Sequence, residues 1–277
     1  MVLEKYINRF YQVDAFTSEP FKGNPAGIMI CKSSTSTDFM QKMAAEINLP
    51  ETAFIYEIDH ALHVRFFTPE TEIPLCGHAT LAAAHVLFEK GIMSQNSPLK
   101  LSSQRHLLEA EKTEDGKIRL KLPLYTFEKS DRLKEFNNVS GIRCDELYKT
   151  EHGWYMAILN TEEEIMRLNP HLQHMKHSDF GQVIVSAPAR KDQSVDYFVR
   201  CFVPGFGIDE DPVTGSAQCA LAPYWSRKKR KNNFEVYQSS RRGGKLTVAV
   251  HSDYLFLSGN AVTLFEGNVL FDHLNEI

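Results

Sequence analysis

FTPETEIPLCGHATLAAAHVLFEKG, residues 67–91, and FVPGFGIDEDPVTGSAQCALAPYW, residues 202–225, decide the reading of this chain. Each begins Phe-x-Pro, as Phe67-Thr68-Pro69 and Phe202-Val203-Pro204, and meets an isoleucine four residues after the proline, Ile73 or Ile208. Each then reaches a glycine that opens a run of small residues, Gly77-His78-Ala79 or Gly215-Ser216-Ala217, with three extra residues before the glycine in the second copy. Aromatic and apolar residues before a proline read as a strand running into a turn. The small apolar run from Ala79 to Phe88 reads as a helix that begins at Gly77 and ends at Gly91. One copy of this strand, loop and small-residue helix unit lies in each half of the chain, an internal repeat.

Working outward, Phe10–Phe16 and Ala26–Cys31 read as strands separated by the turn residues Gly23, Asn24 and Pro25. Phe39, Met43 and Ile47 recur at spacings of four behind the N-cap candidates Ser36, Thr37 and Asp38, which predicts a helix over 38–47 closed by Pro50. Thr52–Tyr56, Leu62–Phe67, Leu101–Ser103, Leu107–Glu111 and Ile118–Leu122 read as strands. The charged stretch Glu128–Asn138 shows no apolar period and reads as a linker. It divides residues 1–128 from residues 129–277, with the last ~12 residues able to return to the first half. In the second half, strands are expected near Trp154–Leu159, Gln182–Ala187, Tyr197–Phe202, Leu246–Val250, Tyr254–Ser258 and Val262–Phe265. Helices are expected around Glu162–Leu168 and after Gly215.

The first N–H groups of a helix lack internal partners and carry the positive end of its dipole. Small residues such as Gly77, Ala79, Gly215, Ser216 and Ala217 let an anion approach that backbone, so the two matched helix starts predict a carboxylate site. Ser216 adds a hydroxyl and His78 an imidazole; taken singly, each serves equally well as a cap or turn residue. Glu51, in Leu49-Pro50-Glu51-Thr52-Ala53-Phe54, has the apolar neighbours that desolvate a carboxylate and suit it to proton transfer. An exposed charge at a strand start is the commoner fate of such a residue. Asp211, in the acidic run 209–211, is placed to orient a donor or a ligand group, and Asp14 reads either as ligand-positioning or as a satisfied core acid. Cys76 lies at a helix start, where a thiol pKa falls. That opens a second mechanism, an amino-acid racemase or epimerase, but its partner thiol is missing from the acidic loop of the second copy.

Composition narrows the classes. The 277 residues are 43% hydrophobic and 24% charged, an ordinary globular balance, and the net charge of −4 offers no global field for nucleic acid. The basic run Arg227–Lys231 reads as the solvated last turn of a helix. Five scattered cysteines with no C-x-x-C pair argue against a disulfide framework or a zinc site and for a reducing, cytoplasmic setting. The N-terminus has no signal-like apolar segment, and no run approaches the length of a membrane span. Dinucleotide, Walker A, G-x-S-x-G and H-E-x-x-H motifs are missing. His171, His174 and His177 recur at spacings of three in a polar segment and read as solvated surface rather than metal ligands.

Gln12-Val13-Asp14-Ala15-Phe16, Gly23-Asn24-Pro25-Ala26-Gly27, Pro50-Glu51-Thr52-Ala53-Phe54, Gly77-His78-Ala79-Thr80 and Glu210-Asp211-Pro212-Val213-Thr214-Gly215-Ser216-Ala217 together resemble the PhzF-like phenazine-biosynthesis isomerase family. Leu221-Ala222-Pro223-Tyr224-Trp225, Arg242-Gly243-Gly244 and Ser258-Gly259-Asn260-Ala261-Val262 extend the likeness over nearly the whole chain, in order. The resemblance implies an α/β (α+β) fold of two pseudo-symmetric half-domains, each a bent antiparallel-rich sheet or open barrel around a central helix, as in diaminopimelate epimerase. It implies a site in a cleft between the halves, a homodimer, and no metal, flavin, nicotinamide or pyridoxal cofactor. The family's catalytic glutamate falls on Glu51, its histidine on His78, its aspartate on Asp211 and its serine on Ser216, with Gly77 supplying backbone. The expected activity is a cofactor-independent isomerisation in which Glu51 moves a proton on a small carboxylate-bearing substrate. The alternatives are a racemase or epimerase using Cys76, and a non-catalytic small-molecule-binding or interaction protein.

Overall fold

The computed structural model describes residues 3–104 and 106–270. Two compact units form, one from Met1–Lys121 with Ser258–Ile277 and the other from Leu122–Leu257.

In the first unit the elements are β1 (Arg9–Ala15), β2 (Asn24–Ile30), α1 (Thr37–Ile47), β3 (Glu51–Ile58), β4 (Ala61–Phe67), β5 (Glu72–Ile73), α2 (Gly77–Glu89), β6 (Leu99–Ser102), β7 (Leu107–Lys112) and β8 (Ile118–Pro123). β1 runs antiparallel to β2, β2 parallel to β3, β3 antiparallel to β4, β4 antiparallel to β5 and parallel to β6, and β6 to β8 form a meander. The last of the described strands, Ala261–Asn268, closes the outer edge of β1, from Arg9↔Asn268 to Ala15↔Ala261. Residues 271–277 of the expected C-terminal return lie outside the described residues. α2 is the central helix: His78–Ala84 and Val86–Phe88 are buried, and it packs on β1, β2, β3 and β7. A helix apolar all round belongs inside a core, and its alanines let the sheet approach closely.

The second unit holds β9 (Phe127–Lys129), α3 (Leu133–Ser140), β10 (Glu146–Thr150), β11 (Tyr155–Ile158), α4 (Glu162–Met166), α5 (Leu172–Lys176), β12 (Val183–Pro188), β13 (Tyr197–Val203), β14 (Ile208–Asp211), α6 (Gln218–Lys229), β15 (Asn233–Gln238), β16 (Gly244–Val250) and β17 (Tyr254–Gly259). Its pairing repeats the first unit strand for strand. β10–β11 is antiparallel, β11–β12 parallel, β12–β13 and β13–β14 antiparallel, β13–β15 parallel and β15–β16 antiparallel. β9 covers the edge of β10 as Ala261–Asn268 covers β1.

The repeat in the sequence is therefore structural, and it extends two residues upstream of the phenylalanines. Arg65 clamps Glu72 through two hydrogen bonds of 2.7 Å, and its guanidinium lies 5.1 Å from the centre of the Phe67 ring. Arg200 clamps Glu210 at 2.7 and 2.9 Å and lies 4.8 Å from the centre of Phe202. Each pair staples a short strand, β5 or β14, back onto the strand before it.

Three expectations need correction. The charged stretch 128–138 is not a linker, because β9 and α3 occupy it. Leu133, Phe136 and Val139 fall on one helical face, with Phe136 fully buried and the other two packed against the same core. The charges between them hid that face, and the division between units falls earlier, at Lys121/Leu122. The second helix does not open at Gly215. The Gln218 N–H bonds the Gly215 carbonyl and the Cys219 N–H the Ser216 carbonyl, so a tight 3₁₀-type turn leads into a helix that starts at Gln218. Finally, β10, β14 and β15 escaped the reading; β15 alternates buried Phe234, Val236 and Gln238 with more exposed neighbours beside the basic run.

α6 carries Pro223 in its interior. A proline there cannot donate to the carbonyl four residues back. That carbonyl, on Cys219, is taken instead by the Tyr125 N–H at 2.9 Å.

Candidate active site

In the first unit Glu51, His78, Cys76 and Asn24 converge. Glu51 is the first residue of β3, which the chain enters from α1 through the left-handed C-cap Asn48 and Pro50. Asn24 is the first residue of β2, which runs parallel to β3 with Ala26 level with Glu51. Gly23, just before it, has φ +65°, and a Cβ there would stand 2.1 Å from the Ala15 carbonyl oxygen, so only glycine makes that turn. His78 and Cys76 come from the start of α2, where Cys76 is the N-cap and makes no side-chain cap bond.

Glu51 Oε2 lies 3.1 Å from His78 Nε2, with the two side chains 16% and 7% exposed. The Asn24 amide lies 3.2 Å from His78 Nδ1. Cys76 Sγ lies 3.4 Å from Nδ1 and 4.0 Å from Nε2. Burial alone would push the His78 pKa down, but Cys76 and Glu51 beside it outweigh that and hold it well above its usual value. Burial, then the Glu51 carboxylate, pushes the Cys76 thiol up. The two groups beside His78 thus favour its protonated form, while burial favours the thiol form of Cys76. A Cβ at Gly77 would meet nothing within 4 Å, so the backbone at this helix start is open to a ligand. Asp14 is fully buried on β1, and its carboxylate accepts the Phe21 N–H at 2.8 Å, which fastens the loop before Gly23.

In the second unit Asp211 ends β14 and accepts a hydrogen bond from the Thr214 hydroxyl. Gln238, fully buried at the end of β15, pins that loop with its whole amide. Its Nε2 donates to the Asp211 carbonyl at 2.8 Å and to Thr214 Oγ1 at 3.2 Å, and its Oε1 accepts the Thr214 N–H at 2.8 Å. Ser216 is half-buried and lines a cavity of about 220 Å³ with Tyr125, Thr150, His152, Trp154 and Ala217.

The structure thus brings Glu51, His78 and Gly77 together in one unit, and Asp211, Gly215 and Ser216 within one loop of the other. Sequence reasoning gave no role to Asn24 or Gln238. Asn24 stood inside a quoted motif, whereas Gln238 is a strand-end glutamine with no local signal at all.

The strand pairing also shows what the repeat does not duplicate. Thr52 is level with Phe67 and Val183 with Phe202, so the position of Glu51 is held in the second unit by Gln182. Aligning the glycines puts Thr214 opposite Cys76 and Ser216 opposite His78. The ionisable pair is present once.

A profile described as phenazine biosynthesis-like protein matches residues 13–267. The chain is 38% identical to a protein named an uncharacterized isomerase from Halalkalibacterium halodurans, over 94% of this chain and 97% of that one. It is similar to the crystal structure of a phenazine biosynthesis protein of the PhzF family from Enterococcus faecalis, with a TM-score of 0.88, 36% identity, and coverage of 95% and 99%. A hydroxyproline epimerase from Agrobacterium vitis matches with a TM-score of 0.61 at 12% identity, over 96% of this chain and 93% of that one, and shares the fold.

Proposed function

The chain belongs to the phenazine biosynthesis-like, or PhzF, family, and on that premise we propose that it is a cofactor-independent isomerase in which Glu51 moves a proton on a small carboxylate-bearing molecule. The observation that carries this reading is the Glu51–His78 contact of 3.1 Å beside an open helix start. The substrate carboxylate docks at the α2 N-terminus, where the Gly77 N–H and the helix dipole favour an anion. Glu51 takes a proton from an activated carbon, and the electron pair left behind spreads into the substrate's conjugated system. The negative charge has then moved from Glu51 to the substrate, and the His78 imidazolium stabilises it there. Glu51 returns the proton to a second carbon, which restores the carboxylate. In the second unit Asp211 and Ser216 offer a carboxylate and a hydroxyl able to hydrogen-bond a small polar ligand.

One acid/base group fits a proton shift better than racemisation by two bases. The counterpart of Glu51 is an amide, that of Cys76 is a threonine, and Cys76 itself is held as a thiol. A cytoplasmic homodimer completes the proposal.

The test begins with a thermal-shift screen of small cyclic and amino carboxylates, followed by NMR of any hit in deuterium oxide. Wild type is expected to exchange a carbon-bound proton. Glu51→Gln is expected to lower exchange and turnover by about 10²–10⁴-fold, the range for one positioned acid/base group. Undiminished exchange in that variant overturns the role of Glu51, and tight binding with no exchange in wild type supports a binding protein instead.

A further inference from the structure

Glu51 Oε2, Cys76 Sγ and a ring nitrogen of His78 offer three different donor atoms that all lie within 4.8 Å of one another. Among the described residues this trio is the one group of three or more such side chains placed to share an ion. We propose that the trio is a binding site for a zinc-like divalent cation, and that the ion acts as a reversible inhibitor by occupying the acid/base group itself.

Three features carry the inference. The first is spacing. Tetrahedral zinc with bonds of about 2.0 Å to nitrogen and oxygen and about 2.3 Å to sulfur sets its ligand atoms roughly 3.3–3.8 Å apart. The Nε2–Oε2 separation is 3.1 Å and the Nε2–Sγ separation 4.0 Å, so small side-chain rotations bring the three into that range. The second is donor set. One thiolate, one imidazole and one carboxylate neutralise a divalent ion and leave the fourth position to water or a ligand, the pattern of zinc sites that are open rather than structural. Their softness selects zinc or cobalt over magnesium or calcium.

The third is the support behind the histidine. With Nε2 on the ion, Nδ1 carries a proton that needs an acceptor, and the fully buried Asn24 amide, whose nitrogen stands 3.2 Å away, supplies its oxygen there after a half-turn of the amide group. A partner of that kind fixes the ring and raises its strength as a ligand. All four side chains are fixed by the α2 start and the parallel β2–β3 pair, so binding needs no rearrangement of the fold.

The chemistry is a ligand exchange without redox. The Cys76 thiol and the His78 imidazolium release one proton each to solvent, and the ion takes the freed lone pairs together with a Glu51 oxygen. A carboxylate bound to the ion cannot accept a proton from carbon. The site therefore blocks the isomerisation proposed above, on which the inhibitory half of this inference rests, while binding itself stands independently.

The experiment titrates Co²⁺ alone into chelator-stripped, full-length protein. One equivalent is expected to produce a thiolate-to-cobalt charge-transfer absorption with tetrahedral d–d bands, and Zn²⁺ is expected to abolish both. Cys76→Ser is expected to lose the charge-transfer band, and Cys144→Ala to retain it. Asn24→Ala is expected to retain it with roughly 10–100-fold weaker affinity. His78→Gln supplies a second ligand deletion, and the melting curve of each variant without metal shows whether it is folded. No charge-transfer band at one equivalent in wild type overturns the inference, as does a band that survives in folded Cys76→Ser. Glu51→Gln separates the two readings. Loss of turnover in Glu51→Gln with no cobalt spectrum in wild type leaves the acid/base role standing and removes the metal site. A cobalt spectrum in wild type with full turnover in Glu51→Gln does the reverse.

Discussion

Gln238 holds the Asp211–Thr214 loop by both ends of one buried amide. Gln238→Ala leaves the Thr214 N–H and the Asp211 carbonyl without that partner, and the expected loss of stability is about 1–3 kcal/mol for each group left unsatisfied in the interior. Urea unfolding measures it, and a variant as stable as wild type would show that the loop holds itself. His78 makes a prediction in pH. Its folded pKa lies above the usual value of 6.5, so the folded state binds that proton more tightly than the unfolded state. The resulting stability is fully present below about pH 6.5 and is lost as pH rises through the folded value. The stability gap between wild type and His78→Gln is therefore widest in mildly acid solution and narrows with rising pH; a gap that widens with pH contradicts the assignment. At this scale the sequence displayed the types of the reactive groups but not their company. Glu51 reads as an ordinary strand-start carboxylate until the parallel β2–β3 pair and the start of α2 set it against His78. A pairing over that many residues has no local pattern.

The repeated Arg–Glu clamp belongs to the scale of elements. Arg65 and Arg200 are 18% and 14% exposed at their side chains, and each holds a two- to four-residue strand that has little else to anchor it. Arg65→Ala and Arg200→Ala each leave a largely buried glutamate unpaired, with an expected cost of about 3 kcal/mol, the low end for breaking a buried ion pair. The hydrogen bonds of Arg65 go to Glu72 and Thr37 and those of Arg200 to Glu210, Ile165 and Leu168, so the double variant is expected to be additive within about 0.5 kcal/mol, as read by chemical denaturation. Each arginine stands two residues before its phenylalanine, so the clamp was visible in the sequence as Arg-x-Phe-x-Pro in both halves. α1, with its single strong period, and α2, an unbroken run of small and apolar residues, were legible. Those whose apolar face is three residues wide, such as α3, were not, because short helices take their stability from the core they cover rather than from their own composition.

At the scale of the molecule, the two-unit architecture followed from one short repeat, since a supersecondary unit that recurs in each half buries its apolar face in the same way twice. What the repeat could not convey is how the outermost strands are shared out, because Ala261–Asn268 carries no mark of its partner. That strand covers β1 over its full length, and Glu266 ties it to Lys90 at 2.8 Å. Ending the chain after Gly259 is expected to strip amide protection from β1 and β2 in hydrogen exchange and to promote self-association through the exposed edge, while the core around Phe136, Tyr155 and Phe180 in the second unit keeps its protection. Unchanged protection of β1 would show that the strand is dispensable.

This closure reverses the order in which a ribosome would deliver the two units. Residues 1–121 emerge first, yet their sheet waits for the last strand until all of Leu122–Leu257 has been made. The second unit is contiguous and has its whole complement of strands on leaving the exit tunnel. At ordinary rates of translation the delay is on the order of ten seconds. For that interval the nascent chain carries an open β1 edge, so chaperone capture during synthesis is expected to fall on the half that was made first.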